Sequence, residues 1–275
     1  MKKFENILIC TDLDGTLLNS KREISRKNIE ATEYFKSEGG FFTFITGRMP
    51  SCALDICDTI NPNVPFGCIN GGGLYDRRTN KYINTVELSK EVIPLVEFVD
   101  KEFPSVGIQV DTFENIYFSK DSGGMEFFRE VTGMPNIVRH YREVDEPFAK
   151  IVFGDTDLDA MARLKVALES HPLAGNFTFT RTEKFLYEIL PGGMNKAHAL
   201  KNLCKHLNIP KARSIALGDY DNDTEMLKSA GIGIAVANAT AAAKGAADLI
   251  TVSCDEDAIA RVIYDLAEGK IAVGE

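Results

Sequence analysis

Two aspartates spaced two residues apart, Asp12 and Asp14, follow a short apolar run near the start of the chain. The run at 7–10 predicts a buried strand, because it is too short for most helices and has no polar face. Ligands of open α/β sheets bind at the carboxyl ends of strands, and Gly15 allows the chain to turn sharply there. We therefore expect the two carboxylates to share one site at a strand tip.

These two carboxylates have the right chemistry for phosphoryl transfer. A carboxylate held at the end of a strand, such as Asp12, can attack phosphorus and divide hydrolysis into two easier steps through a covalent intermediate. Asp14 is expected on the same side of the tip, where it can protonate the leaving alkoxide and then accept a proton from water. Phosphoryl transfer depends mostly on positioning and charge neutralisation, and Mg²⁺ favours oxygen ligands.

Three further features lie at strand ends or helix starts of the predicted fold. Thr46, followed by Gly47 and Arg48, ends a second apolar run; Lys196 precedes a helical pattern; and an acidic loop occupies 218–223. Each feature alone is weak evidence, because Asp and Asn often cap helices. The similar segment at 154–157 is interpreted in that way, as a helix cap. The occurrence of all the features together, in order, indicates a catalytic site.

The elements that must position these residues alternate in type. Strand and helix patterns alternate over 6–70 and again after 195, which predicts a parallel sheet with right-handed crossovers. Between them, successive strands without intervening helices predict an antiparallel sheet in a separate α+β unit. We therefore predict an α/β fold: a Rossmann-like parallel-sheet core at 1–84 and 191–275, with an inserted α+β cap domain at 85–190.

Taken together, the motifs resemble those of the haloacid dehalogenase superfamily, and the position of the insertion resembles its Cof-type phosphatases with a large α/β cap. The resemblance spans nearly the whole chain. The motifs that carry it are Asp12-Leu13-Asp14-Gly15-Thr16, Thr46-Gly47-Arg48, Lys196 and Gly218-Asp219-x-x-Asn222-Asp223.

The resemblance implies specific roles for these residues. Asp12 would be the nucleophile and Asp14 the acid and base, with the backbone carbonyl of Asp14 serving the metal. Mg²⁺ would be bound by Asp12, Asp14 and Asp219, and by Asp223 either directly or through water. The residues implied around the phosphoryl group are Thr46, through its hydroxyl and amide, Gly47, Arg48, Lys196 and Asn222.

Composition excludes several classes of partner. The chain has 275 residues, 44% of them hydrophobic, and a net charge of −9, which disfavours nucleic-acid binding because that requires a basic surface. The six cysteines form no CxxC pair, as expected for a protein of a reducing compartment. No stretch approaches the roughly 20 apolar residues needed to span a membrane. We expect a cytoplasmic protein that binds a small phosphorylated metabolite.

The expected function is therefore Mg²⁺-dependent hydrolysis of a phosphomonoester through an aspartyl-phosphate. By resemblance, a sugar phosphate, flavin mononucleotide or pyridoxal phosphate is compatible as substrate. Two alternatives stay open: a phosphomutase and a phospho-acceptor module similar to a receiver domain. Arg48 either approaches substrate or anchors local structure. The same choice between a substrate-facing and a structural role applies to Asn70, Gly71, Arg181, Lys184, Tyr187 and Glu188.

Overall fold

A computed structural model describes residues 2–132, 135 and 137–274. The chain divides into two compact units. One, called the core unit here, comprises Met1–Asn84 and Asn195–Glu275, and the other, called the cap unit, comprises Thr85–Met194. No helix in the described ranges is both long enough and apolar enough to cross a membrane.

In chain order the strands are β1 (Leu8–Thr11), β2 (Phe41–Phe44), β3 (Phe66–Cys68), β4 (Gly73–Asp76), β5 (Lys81–Thr85), β6 (Gly107–Thr112), β7 (Ile116–Lys120), β8 (Ile137–Val138), β9 (Phe148–Gly154), β10 (Phe177–Glu183), β11 (Leu186–Pro191), β12 (Ser214–Gly218), β13 (Ile232–Ala235) and β14 (Leu249–Ile250). The helices are α1 (Arg26–Ser37), α2 (Leu54–Ile60), α3 (Ile93–Glu102), α4 (Gly123–Thr132), α5 (Leu158–Glu169), α6 (Lys196–Leu207), α7 (Thr224–Ser229), α8 (Ala241–Ala246) and α9 (Ala258–Ala267).

The main sheet of the core unit is parallel, with strand order β14-β13-β12-β1-β2. Its central strand, β1, pairs with β12 on one side and β2 on the other. All four residues of β1 are buried, as expected for a strand covered on both faces. This confirms the predicted parallel-sheet core and places the ends of β1, β2 and β12 side by side.

Local sequence signals explain where the helices of the core unit begin. Ser25 is the N-cap of α1, and its side chain accepts a hydrogen bond from the amide of Asn28. Asn195 caps α6 in the same way through the amide of His198. Such caps satisfy backbone donors that would otherwise have no partner. The cap of α6 therefore determines that Lys196 occupies the first position of that helix.

The third strand differs from the simple alternation that the sequence predicts. β3 makes only one parallel bridge to the end of β2, between Ile45 and Gly67, and its main partner is antiparallel β4. It ends after three residues because Ile69 and Asn70 adopt left-handed backbone conformations, with φ of 54° and 50°. Their amides then donate to the carbonyls of Arg48 and Thr46. The turn at 69–71 is thereby held against the residues that follow β2.

The cap unit contains a six-stranded sheet with strand order β10-β11-β9-β6-β7-β8, in which only the β7–β8 pair is parallel. This confirms the predicted second, largely antiparallel sheet. One face packs against α3 and α5 in a hydrophobic core that includes Val96, Leu164, Ile151 and Tyr187. The segment at 154–157 is indeed a cap, because the side chain of Asp157 accepts hydrogen bonds from two amides at the start of α5.

Candidate active site

Asp12 lies immediately after β1, in the centre of the parallel sheet. Its amide donates to the carbonyl of Leu217 in the neighbouring strand, at 2.8 Å, so its backbone continues the sheet. The residue is only 6% exposed. Burial raises the pKa of Asp12 well above its usual value, Lys196 opposes the rise, and the nearby Asp223 and Asp219 carboxylates add to it. A rigid, nearly buried carboxylate therefore occupies the strand tip.

Lys196 connects this carboxylate to the loop after β12. Its ammonium nitrogen lies 2.5 Å from Oδ1 of Asp12 and 2.6 Å from Oδ1 of Asp223, and the side chain is 1% exposed. Burial alone would lower the pKa of Lys196, but the two carboxylates raise it above its usual value. The lysine is thus charged and held between two acids that are distant in sequence.

Both carboxylate oxygens of Asp223 accept hydrogen bonds. Its Oδ2 accepts hydrogen bonds from the amides of Asp219 and Tyr220, at 2.9 and 3.0 Å, while Oδ1 accepts from Lys196. The side chain is 0% exposed. Asp223 therefore shapes the loop that presents Asp219, in addition to contributing negative charge.

The carboxylates of Asp12, Asp219 and Asp223 converge, with one oxygen from each lying within 4.8 Å of the others. Among the residues that the structure describes, only Lys196 forms an ion pair with these carboxylates, so the three groups carry an excess of two negative charges when all are ionised. Burial and then Asp223 raise the pKa of Asp219 to about 7. Carboxylate oxygens with this excess charge fit a hard divalent cation such as Mg²⁺, which prefers oxygen ligands.

Gly15 and Thr16 support Asp219 from the turn after Asp14. The Thr16 hydroxyl donates to Oδ1 of Asp219 at 3.0 Å. Gly15 has a φ of +78°, and a Cβ at this position would lie 2.6 Å from Oδ2 of Asp219. Glycine is needed here both for its backbone conformation and for the space that the carboxylate occupies.

Asp14 does not join the three converging carboxylates but forms an ion pair with Arg48. Nε and Nη2 of the guanidinium donate to the two oxygens of Asp14, at 2.9 and 2.5 Å. A third donor, Nη1, binds the carbonyl of Cys52. The Asp14 side chain is nevertheless 45% exposed, so the pair faces open space at the tip. In this structure the guanidinium therefore fixes the orientation of the Asp14 carboxylate.

Thr46 and Asn222 lie on either side of Asn70. The amide of Thr46 donates to Gly67, so the hydroxyl rather than the amide is the Thr46 group left to contact a phosphoryl oxygen. That hydroxyl accepts from the amide of Arg48 and keeps its own proton as a donor. The side-chain amide of Asn222 donates to Oδ1 of Asn70 at 3.0 Å. Gly47 packs closely on Asn70, since an added Cβ would lie 2.9 Å from its Nδ2.

Two residues that support the candidate active site, Asn238 and Thr240, are not indicated by any pattern in the sequence. Asn238 donates to the carbonyl of Gly15 at 2.8 Å and accepts from the amide of Cys254, thereby joining the turn after Asp14 to the C-terminal region. Thr240 donates through its amide to the carbonyl of Asp219. Neither residue belongs to a recognisable motif, because each acts through contacts that only the folded chain brings together.

Two candidate residues of the cap unit, Tyr187 and Glu188, lie on opposite faces of its sheet. Tyr187 is part of the hydrophobic core, and its hydroxyl donates to Glu169, so its role is structural. Glu188 lies on the opposite face and binds Lys150 at 2.8 Å. Arg181 lies in β10 and Lys184 in the turn that follows it.

A model of the haloacid dehalogenase-like hydrolases matches residues 9–263. The chain is similar to the 5-amino-6-(5-phospho-D-ribitylamino)uracil phosphatase YitU of Bacillus subtilis, with 26% identity over 94% of this chain and 96% of YitU. It is also 25% identical to the phosphatase YwpJ of that organism, over 94% and 99% of the two chains. Among solved structures, a haloacid dehalogenase-like hydrolase from Bacteroides thetaiotaomicron superposes with a TM-score of 0.81 at 26% identity, covering 95% of this chain and 100% of that one.

Proposed function

Because the chain belongs to the haloacid dehalogenase-like hydrolases and is a phosphatase, we propose that it hydrolyses a small phosphomonoester with Mg²⁺ through an aspartyl-phosphate. The observation that carries this proposal is the convergence of Asp12, Asp219 and Asp223 around Lys196 at the tip of β1. It combines a buried nucleophile, an excess of negative charge suited to a divalent cation, and one fixed positive charge.

In the first step Asp12 attacks phosphorus. Because Oδ1 accepts from Lys196, the attack falls to Oδ2, which forms the new bond to phosphorus while the bond to the leaving oxygen breaks. Asp14, which carries a proton once one of its oxygens is released from Arg48, protonates the leaving alkoxide. Lys196 lowers the charge that accumulates between Asp12 and the phosphoryl group, which is the main requirement of phosphoryl transfer.

In the second step water attacks the phosphorus of the aspartyl-phosphate. Asp14, now ionised, accepts a proton from this water, and the bond between phosphorus and Oδ2 of Asp12 breaks. Inorganic phosphate leaves, and both aspartates return to their starting protonation states. The hydrogen bond that Arg48 retains to the unprotonated oxygen keeps the Asp14 side chain at the tip for both transfers.

The carboxylates of Asp12 and Asp219 and the backbone carbonyl of Asp14 would hold the metal. Asp223 would contact it directly or through water, while its oxygens also accept hydrogen bonds from Lys196 and two amides. When bound, Mg²⁺ neutralises phosphoryl charge and orients the phosphate for in-line attack. The Thr46 hydroxyl and the backbone of Gly47 would bind phosphoryl oxygens. Asn222 would support this group through Asn70.

The proposed substrate is a small phosphorylated metabolite. YitU, by its name, acts on a phosphorylated ribitylamino-uracil, which combines a phosphate, a polyol chain and a heterocycle. A sugar phosphate, flavin mononucleotide and pyridoxal phosphate belong to the same broad class. We assign the protein to the cytoplasm, a compartment that suits its six free cysteines.

The test is phosphate release from p-nitrophenyl phosphate with and without Mg²⁺. We expect release to require Mg²⁺ and to fall by at least about a thousandfold in Asp12→Asn, because a covalent step is lost. Asp221→Asn, which changes an exposed acid of the same loop, is the matched control and should retain activity. Full activity in Asp12→Asn, shown by mass spectrometry to be free of deamidation, would contradict the nucleophile.

Two outcomes would select the alternatives instead. Transfer of the phosphoryl group back to substrate rather than to ¹⁸O-labelled water would indicate a phosphomutase. A stable aspartyl-phosphate without turnover would indicate a phospho-acceptor module.

A further inference from the structure

Three consecutive residues of the core unit, Ile69, Asn70 and Gly71, have left-handed backbone conformations, with φ of 54°, 50° and 98°. Glycine adopts this conformation readily and asparagine tolerates it, but in a β-branched residue such as Ile69 it is a genuine outlier. All three residues are buried. Strained backbone of this kind persists only where its surroundings fix it, and it is concentrated at functional sites. We call these three residues the left-handed turn.

The left-handed turn lies against the loop that follows β2. The amides of Ile69 and Asn70 donate to the carbonyls of Arg48 and Thr46, each at 3.0 Å. The side chain of Asn70 also contacts Gly47 closely, since an added Cβ at Gly47 would lie 2.9 Å from Nδ2 and 3.1 Å from Oδ1 of Asn70. The residues with the strained backbone are therefore the ones that hold this loop.

The left-handed turn also contacts two other segments of the candidate active site. Asn222 donates through its side-chain amide to Oδ1 of Asn70 at 3.0 Å. Gly71 packs against Asn195, because an added Cβ at Gly71 would lie 2.0 Å from the carbonyl oxygen of Asn195. Asn195 is the N-cap of the helix that begins with Lys196. Three segments that are distant in sequence thus meet at the turn.

Asn70 is only 1% exposed, so its side chain acts on its neighbours rather than on a bound substrate. We propose that Asn70 is a positioning residue, which holds the loop of Thr46 and Gly47 at a fixed separation from Asn222. Groups from two strand ends then meet the same phosphoryl group. This inference rests on the proposed function, in which that loop binds phosphoryl oxygens.

The test compares two constants that do not depend on how much of the full chain is folded: KM for p-nitrophenyl phosphate, and the dissociation constant of inorganic phosphate from calorimetry in Mg²⁺. Asn70→Gly removes the side chain but keeps a residue that adopts the left-handed conformation readily. Both constants should rise by about threefold to tenfold, the effect of losing a buried hydrogen bond. The kcat should stay within about threefold, because a loss of uniform binding raises KM alone.

A second variant, Asn222→Ala, breaks the same hydrogen bond without altering the left-handed turn, and it should raise both constants as well. In the double variant the two effects should not add, because either change alone breaks the contact. The matched control is Asn208→Gly. Asn208 has a similar φ of 52° but is exposed at the end of α6, so its replacement should leave both constants and kcat at their wild-type values.

Wild-type constants in Asn70→Gly would overturn the positioning role, even if the variant were less stable. Full additivity in the double variant would also overturn it, because Asn70 would then act independently of Asn222. If Asn70→Gly does not fold, unchanged constants in Asn222→Ala overturn the proposal in its place.

Failure of the proposed function gives a different result. A wild type that binds inorganic phosphate but releases none from p-nitrophenyl phosphate would contradict the proposed reaction, while the phosphate titrations still test Asn70. A wild type that hydrolyses the ester, with unchanged constants in both single variants, would overturn the positioning role alone. A wild type that neither binds phosphate nor hydrolyses the ester would overturn both.

Discussion

Arg48 holds Asp14 with two hydrogen bonds, from Nε to Oδ2 at 2.9 Å and from Nη2 to Oδ1 at 2.5 Å. A paired contact of this kind fixes the direction of a carboxylate as well as its position. It supports the proposal that Arg48 orients the proposed acid and base, because the guanidinium is committed to Asp14. Burial would lower the pKa of Arg48, but its hydrogen bonds to Asp14 and the negative charge of that carboxylate raise it.

This pairing predicts a dependence on the leaving group. Hydrolysis of n-pentyl phosphate requires protonation of an alkoxide, whereas p-nitrophenolate leaves without a proton. Asp14→Asn should therefore slow the pentyl ester by a further ~10²–10⁴ relative to the nitrophenyl ester. Arg48→Gln should show the same selective loss to a smaller degree, measured as kcat for both esters.

The control for Arg48 is Arg77, which pairs with the exposed Asp58 by a similar two-donor contact. Arg77→Gln should leave both rates near wild type, since exposed ion pairs contribute little. An equal loss for both esters in Arg48→Gln, expressed mainly in KM, would show that Arg48 binds the phosphate instead.

Gly15 offers a test of the space beside Asp219. Gly15→Ala forces an alanine into a left-handed conformation, which costs about 1–2 kcal/mol, and it also places Cβ against Oδ2 of Asp219. We expect a loss of Mg²⁺ affinity and of phosphatase activity. Gly269→Ala separates the two effects, because its φ of +76° is similar and no described atom lies within 4 Å of the added Cβ.

Gly15→Ala should lose at least as much stability as Gly269→Ala in thermal unfolding, and only Gly15→Ala should require more Mg²⁺ for half-maximal activity. Equal Mg²⁺ requirements in the two variants would show that the contact with Asp219 is unimportant.

The raised pKa of Asp219, about 7, predicts a link between pH, metal and stability. Without metal, the folded state binds this proton more tightly than the unfolded state, so its contribution to stability falls as pH rises from about 4 to about 7. Mg²⁺ competes with the proton and should bind more weakly below pH 7. The increase in Tm on adding Mg²⁺ should therefore be larger at pH 8 than at pH 5.5.

Asp219→Asn should reduce this pH dependence, whereas Asp221→Asn should preserve it. Identical Tm increases at the two pH values in the wild type would argue against Asp219 as a metal ligand.

Lys196 should contribute to stability as well as to activity. Lys196→Met leaves the buried carboxylates of Asp12 and Asp223 without their cation, which typically costs about 3–5 kcal/mol. The loss should be greater at pH 8 than at pH 5, because burial raises the pKa of Asp12, and protonation of Asp12 in acid removes one of the two buried negative charges. Denaturant unfolding at both pH values measures it.

Lys201→Met, an exposed change in the same helix, should alter the free energy of unfolding by less than about 0.5 kcal/mol. A similarly small effect in Lys196→Met would mean that the acids are neutralised in another way.

Much of the architecture followed from local patterns. The apolar run before Asp12 predicts β1 because a strand buried on both faces needs no polar side chain. Ser25 predicts the start of α1 because its side chain satisfies a free amide. The main difference from the predicted alternation of strands and helices is the third strand, β3. Its end at Ile69 and Asn70 has a left-handed backbone that depends on hydrogen bonds to a loop some 20 residues earlier in the chain. No local sequence pattern reveals these hydrogen bonds.

By itself, the sequence determined which chemical groups end each strand, since residue type and strand boundaries are local properties. Only the tertiary structure decided how those groups pair. Lys196 meets Asp12 across 184 residues, and Arg48 meets Asp14 across 34. The same applies to Asp223, whose two oxygens accept hydrogen bonds from a lysine and two amides. Parallel strands bring carboxyl ends that are distant in sequence to one edge of the sheet. Which charged groups pair there depends on their distances and burial, and the spacing of residues along the chain does not determine either.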